Sequence, residues 1–336
     1  MNRRLSPGDG IITCALNAQL VAGFEDIQFS YPLKLVVPSR RYLPHVQCIY
    51  VIGYGGGLVA GDRVRMKVEV REGSTLAMLT QGSTKVFKTR PDRYLSDHPS
   101  SASSASTEQL YRLSVSPSSL LVLLPSPVTC FSRSRYEQKQ VVHLADQTSS
   151  LILLDWYTSG RMGMDHKERG KAEEWEFERY RSENEVWIKG ERIARDVLLL
   201  EDEAGSCDSP SQSRAPSPPT SDPDSTPSDP PRTSTTYQSR VLPYSCYATL
   251  FLFGPHCARL LSHLSTSFTS IVQYKQPRPY SLVWSFSPLQ GHPGGGGIAR
   301  CAGDSTEAVK EWVVHMLGEG GIEALISQDM WKTAFS

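Results

Sequence analysis

The 336-residue sequence predicts a mainly β fold in a single domain, with a few helices, one of them near the C-terminus. Three observations carry this expectation. Short segments of alternating or continuous apolar character follow one another with no helical period between them. The segment 63–70 alternates without exception, with Arg63, Arg65, Lys67 and Glu69 on one face and Val64, Met66, Val68 and Val70 on the other. Helical spacing is confined to two stretches late in the chain.

In chain order, strands are expected over 30–37 and 45–52, and then over 63–70, which reads as a half-buried antiparallel strand. Arg71, Glu72, Gly73 and Ser74 make a turn before the apolar run 76–79. Further strands are expected over 109–115, 120–124, 136–144, 150–157, 174–181, 185–188, 196–200, 244–253 and 281–286. Pro255 suits the first turn of a helix whose buried stripe is Leu260, Leu261 and Leu264. In the last helix, Asp304 is the expected cap and Glu307 completes a capping box. Val309, Trp312, Val313, Met316 and Leu317 then fall at helical spacing, and Gly318, Gly320 and Gly321 end the run. This helix is expected to cover one end of the β core. Two segments, 91–107 and 203–240, are dominated by Ser, Pro, Asp and Thr. They cannot bury enough apolar surface to offset chain ordering and read as disordered insertions on surface loops.

Composition excludes several classes. Thirty-five basic and thirty-five acidic residues leave no net charge and no basic stripe, so nucleic acid is not an expected partner. No window approaches the roughly 18 apolar residues of a membrane span. The basic N-terminus leads into no apolar stretch, so a secretory signal is not expected. Seven widely spaced cysteines suit reduced, buried thiols and a cytoplasmic location.

The residues that draw attention are glycines 53, 55, 56, 57 and 61, ending in Asp62, with Thr80–Gln81–Gly82–Ser83–Thr84–Lys85 after the next apolar run. A phosphate-binding loop needs its lysine before the Ser or Thr and must open a helix. Here the lysine follows, and the glycines lead into a strand. A nucleotide-binding enzyme is therefore disfavoured, and the glycines read as a tight loop or a close approach of backbones. There is no CxxC, no HExxH and no GxSxG, so neither a tight metal cage nor an activated nucleophile is expected. The carboxylates between 165 and 178 are interleaved with Lys and Arg and read as a solvated face. Residue chemistry alone does not suggest an enzyme.

Several segments, in order, resemble the urease accessory protein UreD (UreH) family. They are GGGLVAGDRV at 55–64, LTQGSTKVFK at 79–88, LLPSPVTCFSRSRYEQ at 123–138 and the stretch 159–200, which begins with Ser159, Gly160 and Arg161. The end of the chain, 305–325 with 330–335, resembles the eukaryotic-type, fungal-like C-terminus. Cys130 stands where the family commonly has Pro. RGKAEEW replaces a shorter family segment, so the family's glutamate matches Glu173 or Glu174.

The resemblance implies a β-rich, solenoid- or sandwich-like maturation chaperone rather than an enzyme. It implies docking on apo-urease, recruitment of the F-type accessory protein, and through it the G-type GTPase that delivers nickel. It also implies nickel(II) in transit with no tightly bound cofactor. Thiolate and imidazole clusters would trap Ni(II), whereas carboxylate, hydroxyl and amide oxygens let it leave. Asp62, Thr80, Gln81, Ser83 and Thr84 are the expected lining, with Glu174 extending it; the alternative is that Asp62 caps the glycine loop. Gly55, Gly56, Gly57, Gly61, Lys85, Gly160 and Arg161 are expected to shape the motif. Trp312, Met316 and Trp331 either dock the F-type partner or are buried within the fold. A β-scaffold that never touches metal is the other reading of the whole chain.

Overall fold

The computed structural model describes residues 5–39, 43–89, 106–161, 173–202, 236–274, 281–289 and 294–335. The strands in order are β1 (Asp9–Leu16), β2 (Ala22–Phe29), β3 (Leu33–Val36), β4 (Val46–Gly53), β5 (Gly57–Leu58), β6 (Arg63–Val70), β7 (Thr75–Thr80), β8 (Thr84–Val86) and β9 (Thr107–Val115). They continue with β10 (Leu120–Leu124), β11 (Val128–Cys130), β12 (Arg135–Leu144), β13 (Ser150–Thr158), β14 (Arg179–Ile188) and β15 (Glu191–Glu201). Helix α1 (Tyr237–Val241), β16 (Cys246–Phe253), α2 (Ala258–Tyr274), β17 (Leu282–Pro288) and β18 (Gly296–Gly303) follow. Helices α3 (Thr306–Glu319), α4 (Glu323–Ile326) and α5 (Gln328–Ala334) close the chain.

The strands form two sheets. The first runs β15-β14-β12-β9-β6-β1-β2, and the second β17-β18-β16-β13-β10-β7-β4-β3, with the short β5, β8 and β11 attached. From β6 to β14 the long strands alternate between the sheets: β6, β9, β12 and β14 lie in the first, β7, β10 and β13 in the second. Each circuit therefore lays one strand on each sheet, and neighbours within a sheet run parallel. The architecture is a two-sheeted solenoid with antiparallel strands at its ends. The expectation that 63–70 pairs antiparallel is corrected here. Its alternation of buried and exposed residues is as read, but β6 is parallel to both β1 and β9. The turn at 71–74 sends the chain to the opposite sheet instead of back along the same one. A strand of that sheet serves as the crossover that parallel pairing requires.

Inward side chains stack in rungs. Cys14, Val70, Val115, Leu144 and Ile188 make one; Ile12, Val68, Leu113, Val142 and Val186 make the next. Leu76, Leu121 and Leu151, then Met78, Leu123 and Leu153, face them from the second sheet. The other face of the second sheet is buried too, under α2 to α5, by Leu79, Val122, Ile152, Leu154, Leu260, Leu264, Val309 and Val313 among others. Burial on both faces is why 120–124 and 151–154 read as unbroken apolar runs, while the half-exposed first sheet alternates.

Several expectations shift in detail. The strands expected over 174–181 and 185–188 are one strand, β14, preceded by irregular chain that buries Trp175 and Phe177. Ser305, not Asp304, caps α3, its hydroxyl accepting from Ala308 N at 3.3 Å. The Asp304 carbonyl instead accepts from the Ser245 hydroxyl, and its N–H donates to Ser281 O. Glu307 then sits one position too early for a capping box, and Gly318 lies inside the helix. Of the two expected insertions, 90–105 and 203–235 lie outside the described residues. Thr107 opens β9, and 236–240 runs into α1, whose Tyr237 hydroxyl donates to Trp175 O at 2.7 Å. Strands β1, β2, β5, β8, β11 and β18 were not expected.

Trp312, Met316 and Trp331 are each less than a tenth exposed, packed between the second sheet and its helices. They hold the helical layer in place and offer little surface to a partner. Among the described residues no helix is long and apolar enough to cross a membrane. Six cysteines, at 14, 48, 130, 246, 257 and 301, are free and buried; Cys207 lies outside the described residues. Burial pushes the thiols of Cys14, Cys48, Cys130, Cys246 and Cys257 up to about 12.

Because Leu113 is fully buried at the centre of an apolar rung, Leu113→Ala should lower unfolding free energy by about 2–5 kcal/mol in urea denaturation, with an unchanged slope.

Candidate functional site

Along the strands the inner rungs change character. Beyond the two apolar rungs come Met66, Tyr111, Gln140 and Asn184, then Val64, Gln109, Gln138 and Ser182, then Thr107, Tyr136 and Tyr180. Gln138, Gln140, Ser182 and Asn184 are all buried, so this end of the inter-sheet space is a polar band. Asp155 faces it from β13. Its carboxylate accepts the Ser182 hydroxyl and the Asn184 side-chain amide, both at 2.6 Å, and the Gln138 amide at 3.1 Å. These bonds join the two sheets across the interior. Burial pushes the Asp155 carboxyl above its ordinary range, against the pull of those three donors.

The polar band is incompletely satisfied. Gln140 Oε1, Asn184 Oδ1 and the Tyr180 hydroxyl are buried with no protein partner. Such orphans normally belong to water or an ion. A cavity of about 30 Å³ lies among Gln109, Tyr111, Gln138, Gln140 and Asp155, with Thr80, Thr84 and Ser126 on its wall. Thr80, Thr84, Gln109 and Tyr111 also line a second cavity of about 80 Å³, which reaches Gly53, Gly56, Gly57, Gln81, Gly82 and Ser83. The two cavities are neighbours across Val51, Thr80, Thr84, Gln109 and Tyr111, one beside Asp155 and the other beside the glycine loop.

The expected residues divide into two sets. Thr80, Gln81, Ser83 and Thr84 come together as lining. Thr80 Oγ1 accepts the Ser126 N–H at 2.6 Å, tying β7 to the chain after β10. Gly57 is required by close approach: β5 pairs with β8, and a Cβ would lie 2.5 Å from Lys85 O. Gly55, Gly56 and Gly61 take positive φ in the turns on either side. Asp62 closes the loop. Its carboxylate accepts the Val59 N–H at 2.9 Å and its carbonyl accepts Glu108 N. Burial raises its carboxyl, which the Val59 bond partly offsets. Neither Asp62 nor Glu174 is among the described residues lining either cavity.

Glu173, the other glutamate that matches the family segment, has a well-defined place. Its carboxylate is held by Arg161 Nε at 3.1 Å and Lys88 Nζ at 2.7 Å, and accepts the Ser132 N–H at 3.3 Å. The Arg161 guanidinium lies over the Phe131 ring, 4.4 Å from its centroid. Gly160 has φ +137°, and a Cβ there would lie 2.0 Å from Glu173 O. Gly160, Arg161 and Glu173 thus form a clamp that pins the chain after β13 against β8 and β11. Burial would raise the Glu173 carboxyl, but the two cations and the N–H outweigh it and hold it at about 2.

Sequence reasoning missed Asp155, Gln109, Gln138, Gln140, Ser182 and Asn184. The signal was parity. Gln138 and Gln140 alternate in step with Val142 and Leu144, and Ser182 and Asn184 in step with Val186 and Ile188, so they had to point inward. Asp155 interrupts the apolar run Leu151–Leu154 on that same inward register. Chemically, the space offers amide, hydroxyl and carbonyl oxygens around one ionisable carboxyl. Among the described residues no three His, Cys, Asp or Glu side chains converge. Such donors suit water or a weakly held cation.

The clamp gives a signed pH dependence. Glu173 has a folded value near 2 against an ordinary 4.5. Its stabilisation is present above about pH 4.5 and lost as pH falls towards 2. Glu173→Gln should cost about 1–3 kcal/mol at pH 7, and chemical denaturation should find the gap from wild type narrowing below pH 4.5 and closing towards pH 2.

Comparison with known proteins matches residues 16–216 to the UreD urease accessory protein family. The chain is 35% identical over 316 residues to urease accessory protein 4 of Cryptococcus neoformans var. grubii, covering 90% of this chain and 87% of that one. It is 30% identical over 307 residues to urease accessory protein D of Oryza sativa subsp. indica, covering 85% and 84%. It is 28% identical over 319 residues to urease accessory protein D of Arabidopsis thaliana, covering 89% and 91%. A two-sheeted β solenoid with this glycine loop and the Gly160–Arg161–Glu173 clamp, matched over most of its length, belongs to the UreD family of urease accessory proteins.

Proposed function

We propose that this chain is a urease maturation factor, an accessory protein and not an enzyme. It docks on apo-urease, recruits the F-type accessory protein and through it the G-type GTPase, and lets nickel(II) cross its interior towards the urease metal centre. The family supports the role in maturation. The observation that carries the path is the polar band bridged by Asp155, with its unpartnered buried oxygens.

On this reading nickel(II) is cargo. It enters at the glycine loop, past Gln81 and Ser83, and trades water for the hydroxyls of Thr80 and Thr84 and the amides of Gln109, Gln138 and Gln140. Each is a weak, hard donor, so none holds Ni(II) as imidazole or thiolate would. Asp155 supplies the one full charge. Burial disfavours that charge, while the three donors around the carboxylate and an arriving dication favour it.

A scaffold without metal contact remains the second reading, because the Asp62 carboxylate is occupied as a loop closure and that of Glu173 as a clamp. Asp155→Asn separates the two. A folded value raised above 3.8 means Asp155 favours folding fully below that pH, and the contribution is lost as pH rises through the folded value. Asparagine removes that loss but also gives up one acceptor oxygen of the bridge, so the variant should stay folded at pH 7, as urea denaturation checks. It should also assemble normally with urease and the accessory proteins. Under limiting nickel, urease activation should fall by about tenfold or more. Normal activation would leave the scaffold reading.

A further inference from the structure

The step between the two cavities is flanked by one buried hydroxyl. Gln109 lines both cavities, whereas Gln138, its register partner on β12, lines only the one beside Asp155. Tyr136 is fully buried, two residues before Gln138 on the same face of β12. Its O–H donates to Gln109 Oε1 and, at 3.0 Å, to Gln138 Oε1. The other end of each amide is engaged elsewhere. Gln138 Nε2 donates to Asp155 Oδ1 at 3.1 Å, and Gln109 Nε2 donates to the Tyr111 hydroxyl at 3.4 Å.

A phenol carries one proton, and here two amide oxygens face it. The Asp155 carboxylate only accepts, so the Gln138 amide is oriented with its oxygen towards Tyr136. Burial pushes the Tyr136 hydroxyl well above its ordinary range, so the proton stays on the phenol. A full hydrogen bond to one oxygen leaves the other without a donor. Turning the O–H about its C–O bond exchanges the two, with no covalent bond made or broken. The ring is held meanwhile, packed on Tyr180 with centroids 5.7 Å apart. An amide oxygen that accepts the phenol proton has less electron density to offer a cation, so one of the pair is the better ligand at any time.

We infer that Tyr136 is a positioning residue of the ion path, whose hydroxyl caps Gln109 or Gln138 in turn and keeps both oxygens from holding one nickel(II) together. The inference rests on the ion-path reading given above. An ion leaving the cavity beside the glycine loop meets the Gln109 oxygen while Tyr136 is turned to Gln138. As the ion passes on towards Asp155, Tyr136 turns back to Gln109 and frees the Gln138 oxygen. Two amide oxygens acting together would hold the ion longer, and a site on a path must also let go. The hydroxyl keeps the step weak by occupying one oxygen at a time.

The test measures equilibrium binding of nickel(II) alone to the full chain, counting the portion that Asp155→Asn removes, together with urease activation under limiting nickel. Tyr136→Phe keeps the ring and deletes the proton. It should bind that nickel about tenfold more tightly and activate urease more slowly. Tyr136→Phe with Gln109→Met takes away the second oxygen and should bring the affinity back near the wild-type value. A residue that only supports the fold would leave or lower the affinity when changed, so equal or weaker binding by Tyr136→Phe overturns the inference. Should Tyr136→Phe not fold, Gln109→Met alone carries the test. With one oxygen left, Tyr136 stays on Gln138, and nickel binding should fall by about tenfold; unchanged or tighter binding overturns the inference. Failure of the ion path reads out differently: Asp155→Asn then removes no bound nickel and activates urease normally.

Discussion

Everything in this fold follows from the circuit that carries the chain from one sheet to the other. Because each turn of the solenoid lays down one strand per sheet, residues of the same parity in successive strands become neighbours. A sequence choice made once is thereby repeated as a rung. Valine at 68 is answered by leucine at 113 and valine at 142 and 186. The same rule makes polar rungs. Once Gln138 is inward, its register partners Gln109 and Ser182 share its environment, and the three can satisfy each other only in part. Depth within the core is thus set by position along the strands, with an apolar end that holds the sheets together and a polar end that leaves space.

The two ends make opposite demands on stability. The apolar rungs and the helical layer over the second sheet supply burial. The polar band draws on that surplus by holding a carboxyl and several amides away from water, with oxygens left over. Asp155 keeps the band from collapsing, since its three hydrogen bonds span the gap between sheets. The clamp at Glu173 is different. It is a charged network at the margin, neutralised by Arg161 and Lys88, and it fixes the strand ends that frame the cavity.

Much of the fold was legible in the sequence where local pattern and environment agree. The exceptionless alternation of 63–70 marked a strand with one buried face, and 120–124 and 150–157 were legible as strands because both faces of their sheet are buried. The partners of those strands were not legible, because a turn such as 71–74 looks alike whether it returns to the same sheet or crosses to the other. Strand β18 went unread because its glycines, packed against Phe253 and Phe286, carry no strand propensity. At the site, Thr80, Gln81, Ser83 and Thr84 could be gathered because they adjoin in sequence. Asp155, Gln138 and Asn184 come from three strands, and only inward parity and the inter-strand register bring them together.

The buried cysteines have a consequence for any metal traffic through this molecule. A thiol binds a soft or borderline metal as thiolate, and the thiols held near 12 are overwhelmingly protonated at neutral pH. Among the described residues the buried sulfur is therefore held as neutral thiols, which bind a metal only by giving up a proton. On the proposed path an ion would exchange among oxygen donors, and its dwell time would be set by them.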